Sequence, residues 1–327
     1  MLRPDYGDVT AEYLALRSGR AYVADFSEVV WVTDTDAIEF LDGQASQDIA
    51  GMVPGETARS FLLEPRGKLV ALLWLLRDVD RVGVVVGAGQ GAGVIEHLER
   101  FRFRVDVDLA LDERLVVEIW GSDLSEISGR SGLEEAGWVD RDGVMAALLA
   151  DVPLSRLLLA GLKTEGLQAL GVDPAGQIAV DTVRIEAGEP LMGVDLDEST
   201  IPQESGLVDR SVSFTKGCFV GQELVARIDS RGRVNRRLVG VAMSTNLLPP
   251  TGSEVIADDV VVGSVSSVGE SLAVGAPVAL AMVRREVDSG EEVTIRWGSS
   301  SAQARVHELP MDDFSEISHF SYTKGRN

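Results

Sequence analysis

One cysteine in 327 residues, Cys218, leaves no partner for an intramolecular disulfide and too few thiolates for a zinc site or a self-sufficient iron–sulfur cage. Only three histidines occur, His97, His307 and His319, far apart and without ligand spacing, so no metal site is expected. Long apolar runs are missing too. The longest, Leu69–Leu76, falls far short of the roughly 20 residues a membrane helix needs. Positive charge is scarce: 30 Lys and Arg stand against 52 Asp and Glu, a net −22. Such a surface repels phosphate backbones, so general nucleic-acid binding is not expected. Glycine and proline, at 34 and 11, are too few for a low-complexity chain.

What remains is the balance of a globular protein, 45% hydrophobic and 25% charged. Met1 to Gly19 is polar, without the apolar centre of a signal peptide, so a cytoplasmic location is expected. Asp8 or Thr10 can cap a first helix, and AYVADFSEVVWVTD alternates as a half-buried strand does. AIEFLDGQ reads as a helix, and SFLLEPRGKLVALLWLLRD as two strands joined at Pro65-Arg66-Gly67. RVGVVVGAG is a further strand, and QGAGVIEHLERFRF a helix reaching Arg104. The stretch 122–180 has weak patterning and yields no assignment. AVDTVRIEAG reads as a helix ending at Gly188. From Arg237 short β runs separated by Gly and Pro turns predict a barrel of five to seven strands. The fold class is therefore α+β: a body over 1–236, an all-β barrel over 237–311, and a polar tail over 312–327.

The densest chemistry lies in FTKGCFVGQELVARIDSRGRVNRRLVG. Val220, Leu224, Val225 and Ile228 fit one helical face, which predicts a helix beginning near Cys218 or Phe219. A thiol there, beside Lys216, would be favoured as thiolate, a candidate nucleophile, redox handle or shared ligand. A buried, inert cysteine is the alternative. Gln222 and Glu223 follow as a polar pair. Arg227, Arg231, Arg233, Arg236 and Arg237 bring five positive charges into eleven residues. They form either a basic patch for an anionic small ligand or salt bridges to the acidic surface. No aromatic residue lies between Phe219 and Trp297 to stack on a base, which argues against nucleic acid here as well. Glu186, in RIEAG before GVDLDESTIPQESGL, is a carboxylate of the kind that grips a heterocycle bearing adjacent N–H donors.

The run KGCFVGQE, Lys216–Glu223, resembles the signature of the YgfZ family, the folate-binding relatives of the glycine-cleavage T-protein. TDTDAIEFLDGQASQDI, LLEPRGKLV, RIEAGEPLMGVDLDESTIPQESGL and VVGSVSSV resemble further family segments in the same order, over about residues 20–310. The resemblance implies a T-protein-like body of two intertwined lobes, closed by a C-terminal barrel. It implies a tetrahydrofolate site in the central opening, with Glu186 gripping the pterin. Gln222, Arg227 and Arg231 are expected to assist in folate binding. It further implies a role in the assembly or repair of iron–sulfur proteins, with reduced folate and iron–sulfur proteins or their assembly factors as partners. Cys218, with Lys216, is then the chemical centre. The T-protein methyltransferases carry an aspartate in the second strand of the hairpin, where this sequence has Ala71. That departure argues against aminomethyl transfer and leaves a folate-dependent one-carbon transferase as the alternative. A third reading is an interaction module with a vestigial folate pocket.

Overall fold

The computed structural model describes residues 2–133, 137–231, 234–312 and 314, apart from the side chains of Ser230 and Arg231. Helix α1 (Val9–Arg17) is capped by Asp8, whose carboxylate accepts from the Ala11 N–H at 3.0 Å. Strands β1 (Ser18–Ala24) and β2 (Ser27–Thr33) follow, but the chain turns between them at Asp25, in the left-handed region at φ 53°, and they enter different sheets. The two lobes are thus intertwined from this turn onward.

The first lobe continues through α2 (Ala37–Gln44), β3 (Thr57–Leu63), β4 (Leu69–Arg77), β5 (Val82–Gly87), α3 (Gly91–Glu99) and β6 (Asp108–Leu111). Its antiparallel sheet has the order β3-β4-β5-β2-β6. Apolar residues of α2 and α3, among them Phe40, Leu41, Val94 and Leu98, pack on Ala71, Leu73, Leu75 and Val84 of the sheet. Helix α3 stops at Glu99, short of the predicted Arg104, whose φ of 58° is incompatible with a right-handed helix.

The weakly patterned stretch supplies most of the second lobe. After β7 (Val116–Gly121) it holds α4 (Ser125–Arg130), β8 (Trp138–Arg141), β9 (Val144–Leu149), β10 (Ser155–Ala160), α5 (Thr164–Leu170) and β11 (Asp173–Pro174), and it runs into α6 (Gln177–Ala187). These strands form the sheet β11-β1-β7-β10-β9-β8, antiparallel except for the β1–β11 pair. The two sheets share a buried layer in which Trp31, Trp74 and Leu76 meet Trp138, Leu149 and Leu158. Gly188 ends α6 with φ 71°, as the sequence predicts.

Two short helices, α7 (Val208–Ser211) and α8 (Gln222–Arg231), lead to the barrel. Strands β12 (Arg236–Met243), β13 (Glu254–Ala257), β14 (Val260–Ser271), β15 (Ala276–Arg284), β16 (Glu292–Trp297) and β17 (Ser300–His307) close in the order β12-β15-β14-β13-β16-β17. Every pairing is antiparallel. Arg184 of α6 pins the barrel to the body: its guanidinium donates to Asp195 at 2.8 Å and to the Ser267 hydroxyl at 2.6 Å. Asp195 in turn accepts from the hydroxyls of Ser266 and Ser267. Among the described residues no helix is long and apolar enough to cross a membrane.

Candidate functional site

A cavity of about 310 Å³ opens between the two lobes. Strands β3, β4 and β5 supply one wall through Arg59, Leu72, Trp74 and Val85, and β7 and β10 the other through Trp120 and Arg156, with Leu154 just ahead of β10. The segment after α6, Glu189 to Met192, closes a third side, tied down where the Gln90 side chain donates to the Met192 carbonyl at 3.0 Å. The lining is mostly aliphatic, with rings from Phe26, Trp74 and Trp120. Phe26 meets Trp120 edge to face at 4.8 Å between centroids.

The polar part of the wall is a chain of ion pairs. Arg59, 6% exposed, grips Glu189 with two parallel bonds of 2.7 and 2.6 Å and donates to Asp151 at 2.5 Å. Asp151 also accepts from Arg210. Burial alone would raise the pKa of Glu189, but the Arg59 guanidinium outweighs it and holds the carboxyl below its ordinary range. Behind the opposite wall sits Glu118, fully buried, which accepts from Ser27 at 2.6 Å, Trp120 Nε1 at 2.8 Å and Arg156 at 3.4 Å. Among the described lining residues the guanidinium groups of Arg59 and Arg156 are matched by the carboxylates of Asp25 and Glu189, so the interior is near neutral. It suits an uncharged planar heterocycle bearing both donors and acceptors better than a bare anion.

Strand β4 fixes which hairpin residue the cavity sees. Its side chains alternate, so Ala71, Leu73 and Leu75 join the core under α2 and α3 while Leu72 and Trp74 lie on the opposite face and line the cavity, which Leu73 between them also borders. Ala71, the position read from the sequence as the lost carboxylate, faces the core, and the neighbour that faces the cavity is Leu72. Neither is acidic. The carboxylates among the described lining residues are Asp25 and Glu189.

The residues singled out from the sequence form two other clusters. Glu186 is fully buried, accepts from Tyr13 Oη at 2.7 Å and is ion-paired with Arg17. Burial pushes its pKa up. Arg17 also pairs with Asp312, so Glu186 ties α1 and the chain beyond the barrel to α6. It does not line the cavity; Glu189, three residues on, does.

The KGCFVGQE run docks instead on the first lobe. Lys216, 1% exposed, reaches the carbonyls of Asp42, Ala45 and Gln47 at 2.6, 3.1 and 2.7 Å and the Asp42 carboxylate at 3.1 Å. Burial lowers its pKa. Cys218 is exposed. Helix α8 starts at Gln222, not at Cys218, because Gly221 sits in the left-handed region at φ 81° and breaks the helical path. The thiol is therefore outside the helix terminus. Gln222 is half-buried, its N–H donating to the Phe219 carbonyl at 3.2 Å. Arg227 is exposed and pairs with Glu223 one turn away. The Arg231 side chain and Arg233 lie outside the described residues. Arg236 and Arg237 pair with Glu204 and Glu308. None of Lys216, Cys218, Gln222 or Arg227 lines the cavity.

Gly221 explains the second glycine of the run. A Cβ there would lie 2.8 Å from the Glu64 carbonyl oxygen and 3.1 Å from the Cα of Gly67, at the tip of the β3–β4 hairpin. Gly221→Ala is expected to lower stability by about 1–3 kcal/mol, from backbone strain and the clash with main-chain atoms. Urea unfolding of the variant measures this, and an unchanged midpoint would show that the hairpin contact is dispensable.

Arg59, Arg156 and Glu189 of the cavity wall, and Glu118 and Asp151 paired behind it, were missed by the sequence reading, although three carry a signal. Arg59, Glu118 and Arg156 are lone charges within TARSFLL, VVEIWG and SRLLLA, apolar strands that have no surface to present them to.

Residues 236–313 match the family model of the glycine cleavage T-protein C-terminal barrel domain. A protein of Nostoc sp. named aminomethyltransferase is 28% identical over 312 residues, 85% of this chain and 80% of that relative. The crystal structure of glycine cleavage system aminomethyltransferase T from Bartonella henselae superposes with a TM-score of 0.83, covering 93% of this chain and 90% of that one at 23% identity. The chain thus has the T-protein fold, an α+β body with a closed six-stranded barrel, and is similar over most of its length to an aminomethyltransferase.

Proposed function

We propose that the protein binds tetrahydrofolate in the cavity between its lobes and serves, in the cytoplasm, as an accessory factor of YgfZ type for iron–sulfur proteins or their assembly factors. The observation that carries the reading is the cavity itself, largely apolar with three aromatic rings in its lining and closed on one side by the Arg59–Glu189 pair. At about 310 Å³ it is at the lower end of small-molecule sites. It has room for a bicyclic heterocycle, with the remainder of a larger ligand directed to the mouth. The similarity to a relative named aminomethyltransferase supports a folate ligand. Glu189 would hold ring N–H donors, and Trp74, Trp120 and Phe26 the ring faces. The folate would supply a one-carbon acceptor nitrogen, and the wall of Leu72 and Trp74 offers no β4 carboxylate to work on it. That wall favours the accessory role over the alternative, a folate-dependent one-carbon transferase, which the same similarity supports.

Cys218 is exposed on the signature segment and is available to a protein partner. Cys218→Ala should leave folate affinity intact and lower iron–sulfur enzyme activity in cells; normal activities would remove the thiol from the function. Titration with tetrahydrofolate tests the site. Glu189→Gln should weaken binding by about 1.5–3 kcal/mol, the worth of a hydrogen bond to a charged group, while Glu186→Gln leaves it unchanged. Loss of affinity in Glu186→Gln alone would move the site away from this cavity.

A further inference from the structure

We infer that Asp25 is a ligand-binding residue of the cavity: from the turn between β1 and β2 its carboxylate accepts the N–H on the bridge that joins the ring of a reduced folate to its tail. This rests on the folate reading of the same cavity and adds to it a second contact and a choice between one-carbon forms. The acidic groups among the described lining residues are Asp25 and Glu189. They differ in what they are free to do. Glu189 has both oxygens engaged by Arg59. The Asp25 side chain has no hydrogen-bond or ion-pair partner among the described residues. An ionised carboxylate only accepts, so its full capacity is left for a donor on the ligand. Asp25 is also exposed, which puts it where the cavity meets solvent. The turn that carries it is fixed on both sides. Ala24 pairs with Val117 in one sheet and Ser27 with Gly87 in the other, the Phe26 carbonyl accepts from the Ala88 N–H at 3.0 Å, and the Phe26 ring packs on Trp120. With the bicyclic ring inside against these two side chains, the group that leaves it toward solvent is the bridge, and its nitrogen carries one hydrogen. Water displaced from the apolar wall beside Asp25 strengthens the bond that forms there. A ligand whose bridge nitrogen carries a formyl group instead has no hydrogen to give and sets a carbonyl oxygen against the carboxylate.

The test compares folinic acid, formylated at ring N5 and still bearing the bridge N–H, with its isomer 10-formyltetrahydrofolate by calorimetric titration of the full chain. The unaltered protein should favour folinic acid by about tenfold or more. Asp25 lies at φ 53°, a conformation that glycine adopts freely, so Asp25→Gly removes the carboxylate without straining the turn. In that variant the affinity for folinic acid should fall about tenfold and the preference should disappear, while the urea midpoint stays at or above that of the parent. Asp25→Asn, which keeps the shape and loses the charge, should bind folinic acid several-fold more weakly than the parent. Equal affinity of the unaltered protein for the two isomers, a preference that survives in Asp25→Gly, or parental affinity in both variants would overturn the inference while leaving folate binding in place. Failure of either ligand to bind the unaltered protein would overturn it together with the folate reading.

Discussion

Arg59→Met is expected to lower the unfolding free energy by about 3–5 kcal/mol, because it strands charges that are buried in pairs. Glu189 and Asp151 both lie against this one guanidinium, in a wall that solvent barely reaches. Asp151 keeps Arg210, whereas Glu189 loses both of its hydrogen bonds to the wall. The pH dependence separates this cause from simple loss of packing. In the unaltered protein the Glu189 carboxyl is held below its ordinary value of about 4.3. Its contribution is present above that value and is lost as pH falls through the folded one. Without Arg59, burial is opposed only by the weaker pull of Arg156 and Arg210 and the pKa rises, so the variant is penalised at neutral pH and relieved by acid. The stability gap should therefore narrow as pH falls from 7 toward 4, as measured by urea unfolding across that range. A gap that stays constant would mean that the arginine contributes bulk and not charge.

Lys216→Met should cost about 2–4 kcal/mol. Its ammonium is the common partner of three carbonyl oxygens and one carboxylate at the end of α2 and in the turn after it, and each acceptor left buried without a donor costs about 1–3 kcal/mol before relaxation. Cys218→Ala, two residues on and exposed, should stay within about 0.5 kcal/mol of the parent. The contrast divides the signature segment into a structural anchor and an exposed thiol. A Lys216→Met protein of parental stability that lost function would give the lysine a chemical role instead.

The sequence disclosed the parts whose physics is local. The β3–β4 hairpin, the caps at Asp8 and Gly188 and the change of period at the barrel are set by neighbouring residues, and each lies where the pattern places it; AYVADFSEVVWVTD, read as one half-buried strand, is instead two strands broken at Asp25, and β2 is buried on both faces. Helix α8 was legible as an apolar face through Val225, but its start was not, since a left-handed Gly221 depends on the hairpin tip packed against it. The second lobe was opaque because its strands are short and its edge strand β11 has only two residues. For the cavity, the difficulty was distance in the chain. Arg59 and Glu189 are 130 residues apart, and Glu118 and Ser27 are 91. Nothing in RIEAGEP says that the helix turns its first glutamate toward Tyr13 and Arg17 and leaves the next one to face the cavity. Likewise, at the hairpin the one-residue step from Ala71 to Leu72 exchanges core for cavity.

The most direct test of folate binding between the lobes is a crystal structure of the full chain grown with folinic acid, a stable reduced folate. The account predicts the bicyclic ring inside the cavity, in contact with Trp74 and within hydrogen-bond reach of Glu189, with the tail leading out past the segment that follows α6. A ring bound at Glu186 or along the α8 arginines, with the cavity filled only by water, would contradict it.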